Sequence, residues 1–215
     1  MLRCRDFIQR ALYQPGRGYF MQHPVILTPQ ASKETQTAVA TAADENDENA
    51  PLLRYDDILA KREFEAKVQQ LYNKQHKDTP LQGNWLTPVE LFAPWYSYAI
   101  AESILEKHDG TQPLRIYEIG AGNGTNAFHI CNYIRQYRPR LYEKLQYTTV
   151  EISPFLVSKQ RQKLQQKHEK VHEVIHADAQ CLDQAIERTN EASCFVLALE
   201  VFDNFPHDKG TSCYL

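Results

Sequence analysis

Apolar runs and helix-compatible stretches alternate through the second half of the chain. Between the apolar runs lie Thr125–Gln136, which has helical spacing, and a polar helix that begins at Ser153-Pro154 and reaches about Lys170. Strands that alternate with helices predict a parallel sheet with right-handed crossovers, so the fold class is α/β. The predicted strands are Leu114–Ile119, Leu145–Ile152, Val171–Ala177 and Cys194–Leu199, with a short helix at 181–188.

The first half of the chain has a different pattern. Residues 4–14 place apolar side chains on one helical face, and Thr87-Pro88 with Glu90 resembles the start of a capped helix. Residues 29–50 contain no leucine, isoleucine or aromatic residue and crowd acidic residues together, which predicts a disordered insert. We therefore expect a helical cap region at 1–110, and at 111–215 a Rossmann-like half-domain with four strands.

Composition narrows the function classes. The 215 residues carry 24 Lys or Arg and 27 Asp or Glu, a net charge of −3, which favours neither a nucleic-acid nor a membrane partner. No apolar window is long enough to span a bilayer. The five cysteines form no C-x-x-C, and no metal site is predicted. We see no convincing presequence, and no oligomeric state follows from the pattern.

A glycine-rich turn follows the first of the four predicted strands. Glu118 ends that strand, and the turn then reads Gly120-Ala121-Gly122-Asn123-Gly124-Thr125. Alternate glycines let the backbone take positive φ and approach a ligand closely. The spacing is G-x-G-x-G; a dinucleotide fingerprint would need glycine at Thr125. An acid ahead of G-x-G-x-G is typical of S-adenosylmethionine (SAM) pockets, so we predict cofactor binding by Glu118, Gly120, Ala121, Gly122 and Gly124. The alternative is a tight strand–helix turn without a ligand.

Acidic residues also end the next two strands. Glu151 lies 27 positions after Gly124, where a carboxylate can accept both ribose hydroxyls of an adenosine cofactor. Asp178 could accept from the adenine amino group. The alternatives are a surface acid that caps the following helix for Glu151, and a helix cap or turn residue for Asp178.

The fourth strand runs into Glu200 and Asp203, which we predict as the catalytic acids. An anion here would bind a cationic substrate such as guanidinium, because arginine favours bidentate carboxylate contacts. It could also hold the substrate nitrogen in line with the methyl group. The alternative is that both acids merely satisfy backbone donors of the following turn.

The chain resembles the MidA-like methyltransferases, whose mitochondrial members are complex I assembly protein arginine methyltransferases. The resemblance runs over most of the chain. The segments that carry it are Phe7-Ile8 to Pro15-Gly16-Arg17-Gly18-Tyr19-Phe20, Gly83 to Leu91, Glu118 to Thr125, Val150-Glu151-Ile152-Ser153, and Leu199-Glu200-Val201-Phe202-Asp203-Asn204-Phe205-Pro206.

This resemblance implies a class I SAM-dependent methyltransferase fold, with N-terminal helices over the cofactor. It also implies symmetric dimethylation of an arginine on a complex I subunit in the mitochondrial matrix. The sequence departs from the family pattern at Ala121, Asn123 and Leu199, where proline, arginine and asparagine are usual. Strands five to seven of the usual order 3-2-1-4-5-7-6 have no counterpart before Leu215, so we expect a C-terminally truncated product.

Two further interpretations are open. A non-catalytic assembly factor could retain the methyltransferase fold, and a methyltransferase could act on another substrate. A nicotinamide-dependent oxidoreductase is disfavoured by Thr125 and by the long gap to Glu151.

Overall fold

The computed structural model describes residues 3–22, 25–26, 61–75, 84–180 and 193–208. The predicted insert at 29–50 and the predicted helix at 181–188 lie outside these residues. The helices are α1 (Cys4–Tyr13), α2 (Lys61–Gln75), α3 (Pro88–Leu91), α4 (Trp95–Lys107), α5 (Thr125–Tyr137), α6 (Pro139–Tyr142) and α7 (Pro154–His168). The strands are β1 (Val25–Ile26), β2 (Asn84–Trp85), β3 (Leu114–Ile119), β4 (Gln146–Glu151), β5 (His172–His176) and β6 (Ser193–Ala198).

The chain divides into two compact units, one of 25–107 and one that combines 1–24 with 108–215. The first helix belongs to the unit that contains the large sheet. This helix is hydrogen-bonded to the segment after β6. The Tyr13 hydroxyl donates to the Asn204 carbonyl, and the Arg5 N–H donates to Asp208 Oδ1. The cap region at 1–110 and the half-domain at 111–215 stay predictions.

The large sheet has four strands in the order β5-β4-β3-β6, and every pair is parallel. This confirms the predicted α/β fold with a parallel sheet. In order of the predicted strands the arrangement is 3-2-1-4, which agrees with the order that the family resemblance implies for these strands.

Burial explains why β3 lies in the middle of this sheet. Five of its six positions are buried, as an apolar strand flanked on both sides requires. The helices α5 and α7 supply further fully buried side chains. The largest of the fully buried apolar side chains are Leu114, Ile116, Tyr147, Val150, Ile130, Ile134 and Leu164.

The unit of residues 25–107 contains the capped helix that the sequence predicts. Thr87 accepts a hydrogen bond from the Glu90 backbone N–H at 3.4 Å, and Pro88 occupies the first helical turn. The helical pattern is interrupted at Pro94, so that α3 and α4 are separate helices. Among the described residues, none of the helices combines the length and apolar character needed to cross a membrane.

Candidate functional site

The ends of β3, β4 and β5 meet at one edge of the sheet. Ile119 pairs with Val150, and Glu151 pairs with His176. Two bonds continue the pairing past the strand ends: Gly120 N–H donates to the Val150 carbonyl at 2.9 Å, and Ala177 N–H donates to the Glu151 carbonyl at 3.1 Å. Because parallel strands end together, Glu118, Glu151 and Asp178 lie on the same carboxyl edge, where ligands of open α/β sheets bind.

The glycine turn has the backbone that its spacing predicts. Gly120, Gly122 and Gly124 have φ values of 65°, 57° and 74°, a region that side chains disfavour. Gly124 precedes α5, and its N–H donates to the Ala121 carbonyl at 2.9 Å. A Cβ added at Gly120 would lie 2.9 Å from Val201 Cγ2. The turn therefore contacts the segment that follows β6.

Glu118 is buried beneath this turn. Its Oε1 accepts from Asn126 Nδ2 at 2.9 Å, and its Oε2 accepts from the Tyr147 hydroxyl at 2.7 Å. Burial raises the pKa of Glu118 to about 7, although these two hydrogen bonds oppose the rise. Both oxygens thus have donors within the protein, and Glu118 fixes the first turn of α5 against β4. Its contact with a cofactor stays a prediction.

Glu151 links the end of β4 to the glycine turn. Its Oε1 accepts from Ser153 N–H at 3.0 Å, and its Oε2 accepts from Gln160 Nε2 at 3.4 Å. Burial raises the pKa of Glu151 to about 7, while the backbone N–H groups of Ser153, Gly122 and Ile152 and the Gln160 amide oppose that rise. The bond to Ser153 resembles the helix-capping alternative, but the carboxylate is buried, not on the surface.

Asp178 follows β5 and is partly exposed. Its Oδ1 accepts from Gln180 N–H at 2.9 Å, and its Oδ2 accepts from Gln180 Nε2 at 3.4 Å. These are the bonds of a turn aspartate, the alternative considered above. A turn role leaves carboxylate lone pairs for a further donor, so adenine recognition stays a prediction.

Glu200 and Asp203 lie in the exposed segment after β6. Glu200 has φ 54°, the one positive value at a residue other than glycine within the described part of the chain. Such conformations are rare for residues with a side chain and cluster at functional sites. Asn204 Nδ2 donates to the Glu200 carbonyl at 3.1 Å and to Asp203 Oδ1 at 3.4 Å. The backbone is thus held locally while both carboxylates face solvent.

Some residues of the site were not found from the sequence. Gln160 is fully buried on α7, and its Nε2 also donates to the Gly122 carbonyl at 2.8 Å, so it ties the glycine turn to Glu151. The sequence does hold an indication that Gln160 is buried. It lies one helical turn from the apolar Leu156 and Leu164, on the same face of the helix. Asn126 and Tyr147, which bond Glu118, carry no such signal. Within the described ranges, no group of three or more potential metal ligands is present.

Comparison with solved structures gives remote similarities. A "likely methyl transferase" from Burkholderia thailandensis, solved bound to S-adenosyl-homocysteine, is 16% identical over 81% of this chain and 33% of its own, with a TM-score of 0.46. An uncharacterized protein from the same organism is 18% identical over 95% of this chain and 35% of its own, with a TM-score of 0.49. A SAM-dependent methyltransferase from Thiobacillus denitrificans in complex with S-adenosyl-homocysteine is 14% identical over 48% of this chain and 36% of its own, with a TM-score of 0.33.

The chain therefore spans about a third of the length of these solved proteins. No curated protein matches it. Residues 99–212, more than half of the chain, match the family described as "Putative S-adenosyl-L-methionine-dependent methyltransferase". That range contains the glycine turn, the ends of β4 and β5 and the segment after β6. The chain belongs to this methyltransferase family, whose cofactor is S-adenosyl-L-methionine.

Proposed function

We propose that this protein is a SAM-dependent methyltransferase that modifies arginine side chains of a protein substrate. One observation carries the first part of the proposal: the buried Glu151 carboxylate contacts the glycine turn at the carboxyl edge of the sheet. A carboxylate beside side-chain-free backbone suits an adenosine group, which offers two vicinal hydroxyls and a flat ring. The family membership supports the same cofactor.

The described residues fit this cofactor. Glu151 Oε2 has a long 3.4 Å bond to Gln160, so it has acceptor capacity for ribose hydroxyls. The positive-φ backbone of Gly120 and Gly122 would face the amino-acid portion, and Asp178 the adenine. When bound, SAM supplies an electrophilic methyl group on sulfur. The task of the protein is then to hold an acceptor nitrogen in line with that group.

Glu200 and Asp203 supply the acceptor side of the proposal. Both are exposed acids, and Val201 between them lies against Gly120. This contact places the acidic segment next to the glycine turn. Carboxylates can pair with a guanidinium through two parallel hydrogen bonds, so they would orient an arginine side chain as well as attract it. Glu200 is the leading acid and Asp203 the second.

The finer assignment rests on the resemblance to the MidA-like family. We propose symmetric dimethylation of a complex I subunit arginine, in the mitochondrial matrix, as the role of the whole protein. Measuring symmetric dimethylarginine on complex I subunits, with and without this protein, tests that assignment. An unchanged modification would contradict the substrate while leaving the cofactor proposal in place.

The direct test of the cofactor is calorimetry with S-adenosyl-homocysteine and SAM on the 215-residue chain. We expect micromolar binding, and weaker binding by Glu151→Gln, which preserves shape but loses the anion. Methyl transfer to an arginine peptide, with a lysine peptide of equal charge as the control, then tests the acceptor. Absence of cofactor binding by the unaltered chain would refute the enzyme proposal.

A non-catalytic assembly factor is the second candidate. Every oxygen of the Glu118 and Glu151 carboxylates has a protein donor, so this part of the fold is satisfied without a ligand. Replacing Gly122 by a bulky residue separates the candidates. A scaffold should retain partner binding and assembly function, whereas an enzyme should lose methylation.

A further inference from the structure

The helix α1 is joined at two points to the segment that follows β6. The Tyr13 hydroxyl donates to the Asn204 carbonyl at 3.0 Å, across 191 positions of sequence. Arg5 N–H donates to Asp208 Oδ1 at 3.2 Å, and Arg5 Nε lies 3.5 Å from Asp208 Oδ2. Arg5 and Tyr13 are eight positions apart, which is about 12 Å along a helix. The helix α1 is therefore bonded to both ends of the segment 204–208. This segment comes immediately after the acids of the acceptor side.

Acids from three strand ends act electrostatically on the Tyr13 phenol. It is half-buried, and burial raises its pKa to about 12, with further contributions from the carboxylates of Asp178, Glu151 and Asp203. The phenol is consequently neutral at physiological pH and keeps the proton that it donates to Asn204.

The turn after α1 fixes the position of this ring. Gly18 N–H donates to the Gln14 carbonyl at 2.6 Å, and a Cβ at Gly18 would lie 2.5 Å from Gln14 N and 2.7 Å from the Leu12 carbonyl oxygen. Only glycine permits so close a return of the backbone. The returning chain places the Phe20 ring 5.6 Å from the Tyr13 ring. The aromatic pair restricts the rotation of Tyr13.

We propose that Tyr13 is a positioning residue that joins the cofactor side of the site to the acceptor side. Its hydroxyl holds the backbone of the segment bearing Glu200 and Asp203 beside the strand ends bearing Glu151 and Asp178. The other hydrogen bonds in the described part of this segment are mostly local, such as those from Asn204 to Val201, Glu200 and Asp203. Without Tyr13 the two sides would be less firmly aligned. The inference rests on the proposed function, because it assigns both sides of the same site.

The test compares Tyr13→Phe, which loses only the hydroxyl, with Tyr137→Phe as a matched control. Tyr137 is half-exposed at the end of α5. The first measurement is amide hydrogen exchange at Asn204 and Phe205 in the absence of cofactor. The N–H groups of these two residues donate to the Val201 and Phe202 carbonyls. We expect exchange to rise about fivefold in Tyr13→Phe, the effect of losing one net hydrogen bond, and to stay unchanged in Tyr137→Phe.

The second measurement is the dissociation constant of S-adenosyl-homocysteine by calorimetry. We expect binding to weaken about fivefold in Tyr13→Phe and to stay unchanged in the control. A purely structural role would lower the free energy of unfolding but leave the affinity of the folded protein unaltered. Unfolding by urea is therefore followed in parallel.

The outcomes separate the two proposals. If the unaltered chain binds and Tyr13→Phe binds equally well, the positioning role is overturned and the cofactor proposal stands. If the unaltered chain does not bind, the proposed function fails; unchanged exchange at Asn204 and Phe205 would then also refute the anchoring by Tyr13. Faster exchange together with weaker binding supports the whole inference.

Discussion

The two sides of the candidate site are built differently. On the cofactor side, Glu118 and Glu151 are 3% and 4% exposed and take hydrogen bonds from side chains or backbone of the neighbouring elements. On the acceptor side, Glu200 and Asp203 are exposed. Asn204, only a few positions away, donates to the Glu200 carbonyl and to Asp203 Oδ1. One side is part of the core, and the other is a surface segment.

This difference shows which side of the site the fold holds in place without a ligand. A buried carboxylate must be satisfied by donors, so the cofactor side is fixed before any ligand arrives, at the cost of pKa values raised to about 7. Exposed carboxylates need no such partners and can adapt to a large substrate. The proposed protein substrate would reach these acids from solvent, whereas a small cofactor can enter a preorganised hollow.

The largest expected effect comes from Glu118→Ala. The change leaves Asn126 Nδ2 and the Tyr147 hydroxyl buried without their acceptor, so we expect a loss of about 4 kcal/mol in the free energy of unfolding. Urea unfolding measures it, with the exposed Glu143→Ala as the control. Equal losses in the free energy of unfolding of both variants would show that the buried Glu118 contributes no more to stability than the exposed Glu143.

Gly120→Ala should follow in size. Its cost combines the positive φ with the contact between the new Cβ and Val201, and we expect about 3 kcal/mol. Gly110→Ala is the matched control, because Gly110 has φ 76° but nothing within 4 Å of an added Cβ, so only the strain of about 1 kcal/mol remains. Gly120→Ala alone should also weaken S-adenosyl-homocysteine binding. Similar behaviour of both variants would contradict the contact between the two sides.

The raised pKa of Glu151 predicts pH-dependent cofactor binding. With a pKa of about 7, the carboxyl is mostly protonated at pH 6 and mostly ionised at pH 8, so affinity should rise by about tenfold between them. Calorimetry at both pH values measures this. Glu118 has a similar pKa, so Glu151→Gln identifies the group: it should bind weakly with no such rise. A rise that persists in Glu151→Gln would assign the titration elsewhere.

The smallest effect is expected at Glu200. Glu200→Gly relieves the positive φ and should raise the free energy of unfolding by about 1 kcal/mol, while Glu200→Gln retains the strain and should change it little. Both should reduce methylation of an arginine peptide and leave S-adenosyl-homocysteine affinity nearly unaltered. If either variant lost the cofactor, the two sides would not be separable.

Much of the cofactor side could be predicted because its signals are local. The apolar run before Gly120 predicts β3, and the alternate glycines predict the turn, since both depend on neighbours in sequence. Glu151 follows from the same reasoning, because parallel strands end together. The donors to Glu118 could not be predicted, since Tyr147 is 29 positions away and reaches it only through the pairing of β3 with β4.

The acceptor side shows the opposite balance. The sequence by itself determined that acids follow the fourth predicted strand, but nothing in it indicates that Glu200 takes φ 54°. The bond from Tyr13 to Asn204 also depends on the tertiary structure, because residues so distant in sequence meet only after the sheet has formed. Local chemistry thus determined the strands, the glycine turn and the acids at the strand ends. Long-range packing decided which acids are buried, which stay exposed and which helix holds them, because burial and donors come from distant parts of the chain.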